Sequence, residues 1–189
     1  MEVEAYIGED DQASHARFGR TARNGIMFGP AGHAYVYLVY GMHACLNVVT
    51  GPEGSPAALL IRAVEPLEGI DRMRADRVTR AGANRRVTTP ERAVTDATRI
   101  ATIPEQRLAS GPALVAAAFG LDRGWTGIDL CDPGSALRLE TPVDARPPTQ
   151  TIRATPRIGI AYAGEPWTSQ PWRLILAGNP SVSGPTGLR

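Results

Sequence analysis

The chain contains no lysine, so all twenty of its basic side chains are arginine. Schiff-base chemistry, which needs a nucleophilic amine, is thereby left with the α-amino group of Met1 alone. Cysteine is nearly absent as well. Cys45 and Cys131 are the only two, and they form no CxxC pair, which excludes a disulfide framework. Both are expected to be reduced, buried thiols. Long hydrophobic runs are missing: none approaches the ~20 residues that cross a bilayer. The acidic start Glu2, Glu4, Glu9, Asp10 and Asp11 is the opposite of a secretory signal's basic region, so a cytoplasmic protein without a membrane partner is expected. Strong net charge is also lacking. At +1, the total does not point to a non-specific nucleic-acid binder.

What is present suffices for one core. With 189 residues and 43% hydrophobic side chains, residues 1–189 read as a single α+β domain with an antiparallel sheet, without repeats. Residues 2–7 alternate as a short strand ending in an acidic turn. Asn24-Gly25 and Gly29-Pro30 mark turns around Ile26 to Phe28. Tyr35 to Val39 and Ala44 to Thr50 form a hairpin broken at Tyr40-Gly41, and Ala57 to Val64 is a further strand. Helices are expected from Leu67 to about Arg77, from Pro90 to about Ile103 with Thr89 as N-cap, and across Gly111 to Phe119. Strands near Ala136 to Glu140, Arg157 to Ala161 and Arg173 to Ala177 complete the sheet. The Pro-, Ser- and Gly-rich segment 178–189 reads as a poorly ordered tail.

Charge is unevenly placed. From Asp71 to Arg107 there are nine arginines and five acids, a local excess of +4. A solvated helical face is the plain explanation, and phosphate contacts are the functional one. Arg62 lies inside an apolar strand and needs an ion-pair partner, an anionic ligand or a route to solvent. Glu4 stands near Tyr6, ahead of His15 and the ladder Tyr35, Tyr37 and Tyr40. A carboxylate among aromatic rings suits a pocket that stacks a flat substrate and activates water on it. Each feature also has a structural reading: alternating tyrosines are usually core residues, and Tyr35 is kept as one. Glu2 shares the strand face of Glu4 at about 6.6 Å by the ~3.3 Å rise per residue, between the spacings of retaining and inverting glycosidases. His33, His43 and Cys45 have no fourth ligand at zinc-like spacing, and the H-x-E with PCxxC pattern of zinc deaminases is absent. No metal and no cofactor is implied.

Several long motifs occur in a fixed order: EVEAYIG, the AxHAR segment around His15, RNGIMFGPAG, YVYLVYGMHACLN and LIRAVEPLEG, then SGP at Ser110 to Pro112 and RIGIAYAGE from Arg157 to Glu165. Together they resemble the alkyladenine (3-methyladenine) DNA glycosylase family over nearly the whole chain. The resemblance implies a curved antiparallel sheet or partial barrel with flanking helices and a protruding β-hairpin, similar to the C-terminal domain of methionyl-tRNA formyltransferase. It implies monofunctional, water-dependent excision of alkylated or deaminated purines from double-stranded DNA by a monomer, which fits a chain without lysine. Glu4 then matches the general base that deprotonates water, and Arg62 a site arginine near that water and the phosphate. Tyr6, His15, Tyr37 and Asn47 match the residues around the flipped base, and Tyr40 the residue that intercalates at the vacated position.

The sequence also departs from the family's pattern. The family usually has a helix and strands ahead of the glutamate motif, so N-terminal elements are expected to be missing and the strand bearing Glu4 to lack a neighbour. Ala113 and Leu114 stand where a lysine usually follows the GP block, and Tyr162 replaces a common histidine. Two other readings therefore stay open: a nucleic-acid-binding module of the same fold with weak or no catalysis, and a truncated product.

Overall fold

The computed structural model describes residues 1–83, 89–141 and 151–184. Its strands are β1 (Glu2–Ile7), β2 (Ala34–Val39), β3 (His43–Val49), β4 (Ala57–Ala63), β5 (Ile152–Thr155) and β6 (Arg173–Leu176). They form one open six-stranded sheet in the order β2-β3-β4-β1-β6-β5, antiparallel at every pairing. The helices are α1 (Ile70–Ala83), α2 (Pro90–Ala101) and α3 (Pro112–Ala118). The Thr89 hydroxyl accepts from the Arg92 amide at 3.4 Å and Pro90 opens α2, as the N-cap chemistry requires.

Alternation along the strands sorts the side chains onto two faces. Val36, Ala44, Leu46 and Val48 pack with Ala116, Leu121 and Leu130 on the helix side. On the other side Tyr35, Val49 and Ala58 pack with Ala16 and Met27, which belong to the irregular segment between β1 and β2. The pairing aligns Tyr35 with Asn47, Asn47 with Leu60, and Leu60 with Glu4. One row across the sheet thus presents an aromatic, an amide and a carboxylate to the same side.

Three expectations from the sequence change here. The strand bearing Glu4 has neighbours on both sides: it pairs with β4 along its length and with β6 through Glu2, Val3 and Glu4. Segments 136–140 and 157–161 are not strands; β5 supplies the final partner instead. The segment from 178 is not loose through Gly184: Asn179, Ser181, Val182 and Ser183 are buried, and the Ser183 amide donates to Glu2 Oε2 at 2.6 Å. Residues 185–189 lie outside the described residues. Among the cysteines, Cys45 is buried as expected, whereas Cys131 is exposed. No helix among the described residues is long and apolar enough to cross a membrane.

Candidate functional site

Glu4 and Glu2 point the same way from β1 and are fully buried, which obliges each oxygen to find a donor. Arg62, from the neighbouring strand, answers both. Its Nε donates to Glu2 Oε1 at 2.7 Å and its Nη1 lies 3.2 Å from Glu4 Oε1. Arg173 of β6 adds a second Nε bond to Glu2 Oε1 at 2.7 Å. Burial alone would raise the Glu2 pKa, but the donors Arg173, Ser183 and Arg62 outweigh it and hold the carboxyl below its usual range. Glu2 is therefore an ionised clamp, not a proton donor. Its position beside Glu4 does not make a glycosidase-like pair.

Glu4 is held differently. Its Oε1 accepts from the Ile158 amide at 2.7 Å, and its Oε2 accepts from the Tyr6 hydroxyl at 2.9 Å. Burial, and then the Glu4 charge, push the Tyr6 pKa well above the ordinary phenol value, so Tyr6 stays a donor. Tyr6 is also a wall of a cleft shared with His15, Tyr35, Tyr37, Asn47 and Tyr162. Glu4 sits directly behind this aromatic wall.

The rings have a fixed arrangement. His15 meets Tyr37 edge-on, with centroids 4.4 Å apart at 78°, and Tyr35 lies 5.5 Å from Tyr37. No flat ligand fits between His15 and Tyr37; it would lie against the pair. His15 Nδ1 is 2.9 Å from the Tyr35 hydroxyl and its Nε2 is 3.5 Å from Arg23 Nη2. Because a guanidinium only donates, Nε2 accepts and Nδ1–H donates to Tyr35. Burial, followed by the Arg23 and Arg17 charges, lowers the His15 pKa to about 4. The imidazole is neutral and electron-rich at physiological pH. Asn47 Nδ2 is tied to the carbonyls of Tyr35 and Cys45 at 3.0 and 3.3 Å, which fixes the orientation of the amide.

The sequence is matched outside the chain. Residues 1–180 match the methylpurine-DNA glycosylase family. The chain belongs to that family. Proteins named "Putative 3-methyladenine DNA glycosylase" share 42% identity with it in Methanocella arvoryzae, over 97% of this chain and 78% of the relative. In Streptomyces avermitilis identity is also 42%, over 96% and 73% of the two chains; in Myxococcus xanthus it is 42% over 97% and 75%.

Within this family member the residues expected at the site fall into two groups. Tyr6, His15, Tyr37 and Asn47 line one cleft, with Glu4 and Arg62 behind it. Tyr40 stands apart on the β2–β3 turn, 87% exposed. Tyr35 is more than the core residue expected: it is buried, but its hydroxyl holds His15. Its position two residues from Tyr37 on the same strand was the available signal. Tyr162 also lines the cleft, anchored through its hydroxyl to the Ala13 carbonyl at 3.1 Å. Arg157 and Asp11 left no such signal. They form a buried two-armed ion pair at 2.6 and 2.8 Å, with the guanidinium 4.7 Å from the Tyr6 ring centroid and 4.9 Å from that of Trp172. This pair fixes the segment whose Ile158 amide meets Glu4. The Met1 amine, the sole candidate for Schiff-base chemistry, donates to the Ala63 carbonyl at 2.9 Å and does not line the cleft. Among the described residues, no group of His, Cys, Asp and Glu is disposed to hold a metal.

Proposed function

We propose that this DNA glycosylase receives an alkylated or deaminated purine, turned out of duplex DNA, in the aromatic cleft and hydrolyses its glycosidic bond with a water activated by Glu4. The observation that carries this reading is the coordination of Glu4. An ionised carboxylate offers about four acceptor positions, and the Tyr6 hydroxyl, the Ile158 amide and Arg62 occupy three. The remaining position suits one water. In the reaction Glu4 takes a proton from that water as its oxygen bonds to C1′. The C1′–N bond breaks, and its electron pair leaves with the purine. An abasic site remains, and Glu4 returns its proton to solvent.

Arg62 holds Glu4 in position, and the carboxylate also stabilises positive charge developing on the sugar. Tyr6, neutral His15 and Tyr37 supply electron-rich rings, which favour a cationic 3-methyladenine or 7-methylguanine by cation–π attraction. Such a base is already a good leaving group. Hypoxanthine and ethenoadenine belong to the same class of flat, damaged purines. Asn47, held by two carbonyls, limits what can project toward it, and Tyr40 fills the vacated stack. The reaction uses no cofactor, and the enzyme acts as a cytoplasmic monomer on chromosomal DNA.

One observation favours a rival. Glu4 is fully buried and already has three partners, as a purely structural carboxylate would, and a binding module without catalysis follows from that. Single-turnover incubation with duplexes carrying one 7-methylguanine, hypoxanthine or ethenoadenine separates the two, with alkaline cleavage to reveal abasic sites. Strand cleavage after alkali on at least one duplex is expected. Tight binding of all three without any abasic product would select the rival.

A further inference from the structure

The arginine-rich stretch forms a second basic feature away from the aromatic cleft. Arg77 and Arg80 of α1, Arg99 of α2 and His43 at the start of β3 line a cleft whose wall includes Ala44 and Leu114. Arg77 is buried and donates to the Leu108 carbonyl at 3.2 Å; burial, then the charges of Arg99 and Arg74, lower its pKa. Arg80 donates to the Leu121 carbonyl. Arg99, with its side chain 58% exposed, lies 3.5 Å from Asp96. Carbonyls orient a guanidinium without neutralising it. Three guanidiniums, one of them 3.5 Å from a carboxylate, face an open cleft, and a planar fork fits a phosphate.

Position in the fold selects the phosphate. Tyr35 and Tyr37 face the aromatic cleft from one side of the β2–β3 hairpin. Ala44 faces the arginine cleft from the other side, where α3 packs. His43 directly follows the turn carrying Tyr40, so the hairpin tip stands between the two clefts. A wedge in a minor groove has one strand on each flank. The strand that gives up its purine runs on the flank of the aromatic cleft.

We propose that the cleft of Arg77, Arg80, Arg99 and His43 binds a backbone phosphate of the opposite, undamaged strand. Arg80 and Arg99 make the contacts, and Arg77 sets the potential from below. This inference rests on the reading of the chain as a glycosylase acting on duplex DNA.

The test is binding by fluorescence anisotropy, between about 50 and 200 mM salt, to a duplex carrying a non-cleavable abasic analogue. Wild type is compared with Arg99→Gln, Arg99→Glu and Arg80→Gln, and with Arg72→Gln as a control. Arg72 is 81% exposed, pairs with Asp76 and does not line the cleft. Each lost phosphate contact lowers the slope of log affinity against log salt by about 0.9. Arg99→Gln and Arg80→Gln are expected to weaken binding several-fold at low salt with a slope smaller by about one. Arg99→Glu should weaken it further, and Arg72→Gln should leave the slope unchanged. Neutral methylphosphonates placed one at a time in each strand identify the strand without any substitution in the protein. A wild-type loss at one or two positions of the undamaged strand, absent in Arg99→Gln, is expected. Sensitivity confined to the damaged strand, or an unchanged slope in both Arg99 variants, would overturn the proposal. Base release by the wild type is scored separately, so failure of the glycosylase reading is distinguishable from failure of this one.

Discussion

Arg62 is the residue on which the buried charges converge. It meets Glu2 at 2.7 Å and Glu4 at 3.2 Å, and removing one member of such a group leaves charges buried without compensation, which costs ~3–5 kcal/mol. Arg62→Ala is therefore expected to lose stability on that scale in chemical denaturation, with Arg62→Lys retaining part of it. A loss below ~1 kcal/mol would mean that water or another donor replaces the guanidinium.

His15 gives a pH dependence at the same scale. Its folded pKa of about 4 lies below the ordinary 6.5, so the unfolded chain takes up the proton first as pH falls. Stability tied to neutral His15 is complete above pH 6.5 and is lost between 6.5 and about 4, by at most ~3.4 kcal/mol at 1.36 kcal/mol per unit. Denaturation midpoints at pH 7 and pH 5 should show this fall, and His15→Gln should flatten it.

Most of these residues were legible in the sequence because alternation puts Glu2, Glu4, Tyr6 and also Tyr35, Tyr37 on one face. The Ile158 amide and the Asp11–Arg157 pair were not. They join positions 154 and 146 residues apart, and no local pattern encodes such a contact.

At the level of elements, the hairpin tip carries the strongest local constraint. Tyr40 has φ 52° and Gly41 φ 69°, and the Met42 amide closes the turn on the Val39 carbonyl at 3.1 Å. Positive φ at both central residues is the signature of a type I′ turn, which glycine and asparagine favour. A tyrosine there costs ~1–2 kcal/mol and gains nothing by burial, since it is exposed. Its place suits the intercalating role proposed for it. Tyr40→Gly is expected to leave stability within ~1 kcal/mol of wild type, because backbone relief offsets the added freedom of the unfolded chain. Binding to an abasic-analogue duplex should fall roughly tenfold, on the scale of one lost base–aromatic stack. Unchanged binding would remove Tyr40 from the interface.

The misread elements share a cause. Segment 157–161 has strand-like composition, but its Ile158 amide serves Glu4 instead of a ladder, and Arg157 turns inward to Asp11. β5 is exposed along most of its four residues and has little apolar pattern to announce it. It exists through its pairing with β6.

Across the whole molecule, the sheet order explains why the site can be built from such distant segments. β1 lies between β4 and β6, so Glu4 sits near the middle of the sheet, with Arg62 on one side and Arg173 on the other. The segment through Ser183 closes over Glu2. Its proline and serine content suggested disorder, but the Ser183 amide donates to the buried Glu2 carboxylate and the Ser183 carbonyl accepts from Arg173, partners that composition does not reveal. Fold class and family were readable from the motifs; the central place of β1 and the closure of the charge cluster depend on strand order, which emerged only in three dimensions.

The central claim is that Glu4 activates water for base release, and the direct measurement compares wild type with Glu4→Gln. Both proteins, matched by thermal melt and by affinity for an abasic-analogue duplex, are assayed in single turnover on a duplex carrying one 7-methylguanine. The account predicts base release by wild type and a rate at least ~10²-fold lower for Glu4→Gln, the scale of general-base catalysis, with binding retained. Equal rates for the two proteins would contradict it, as would a folded wild type that binds the duplex and releases no base.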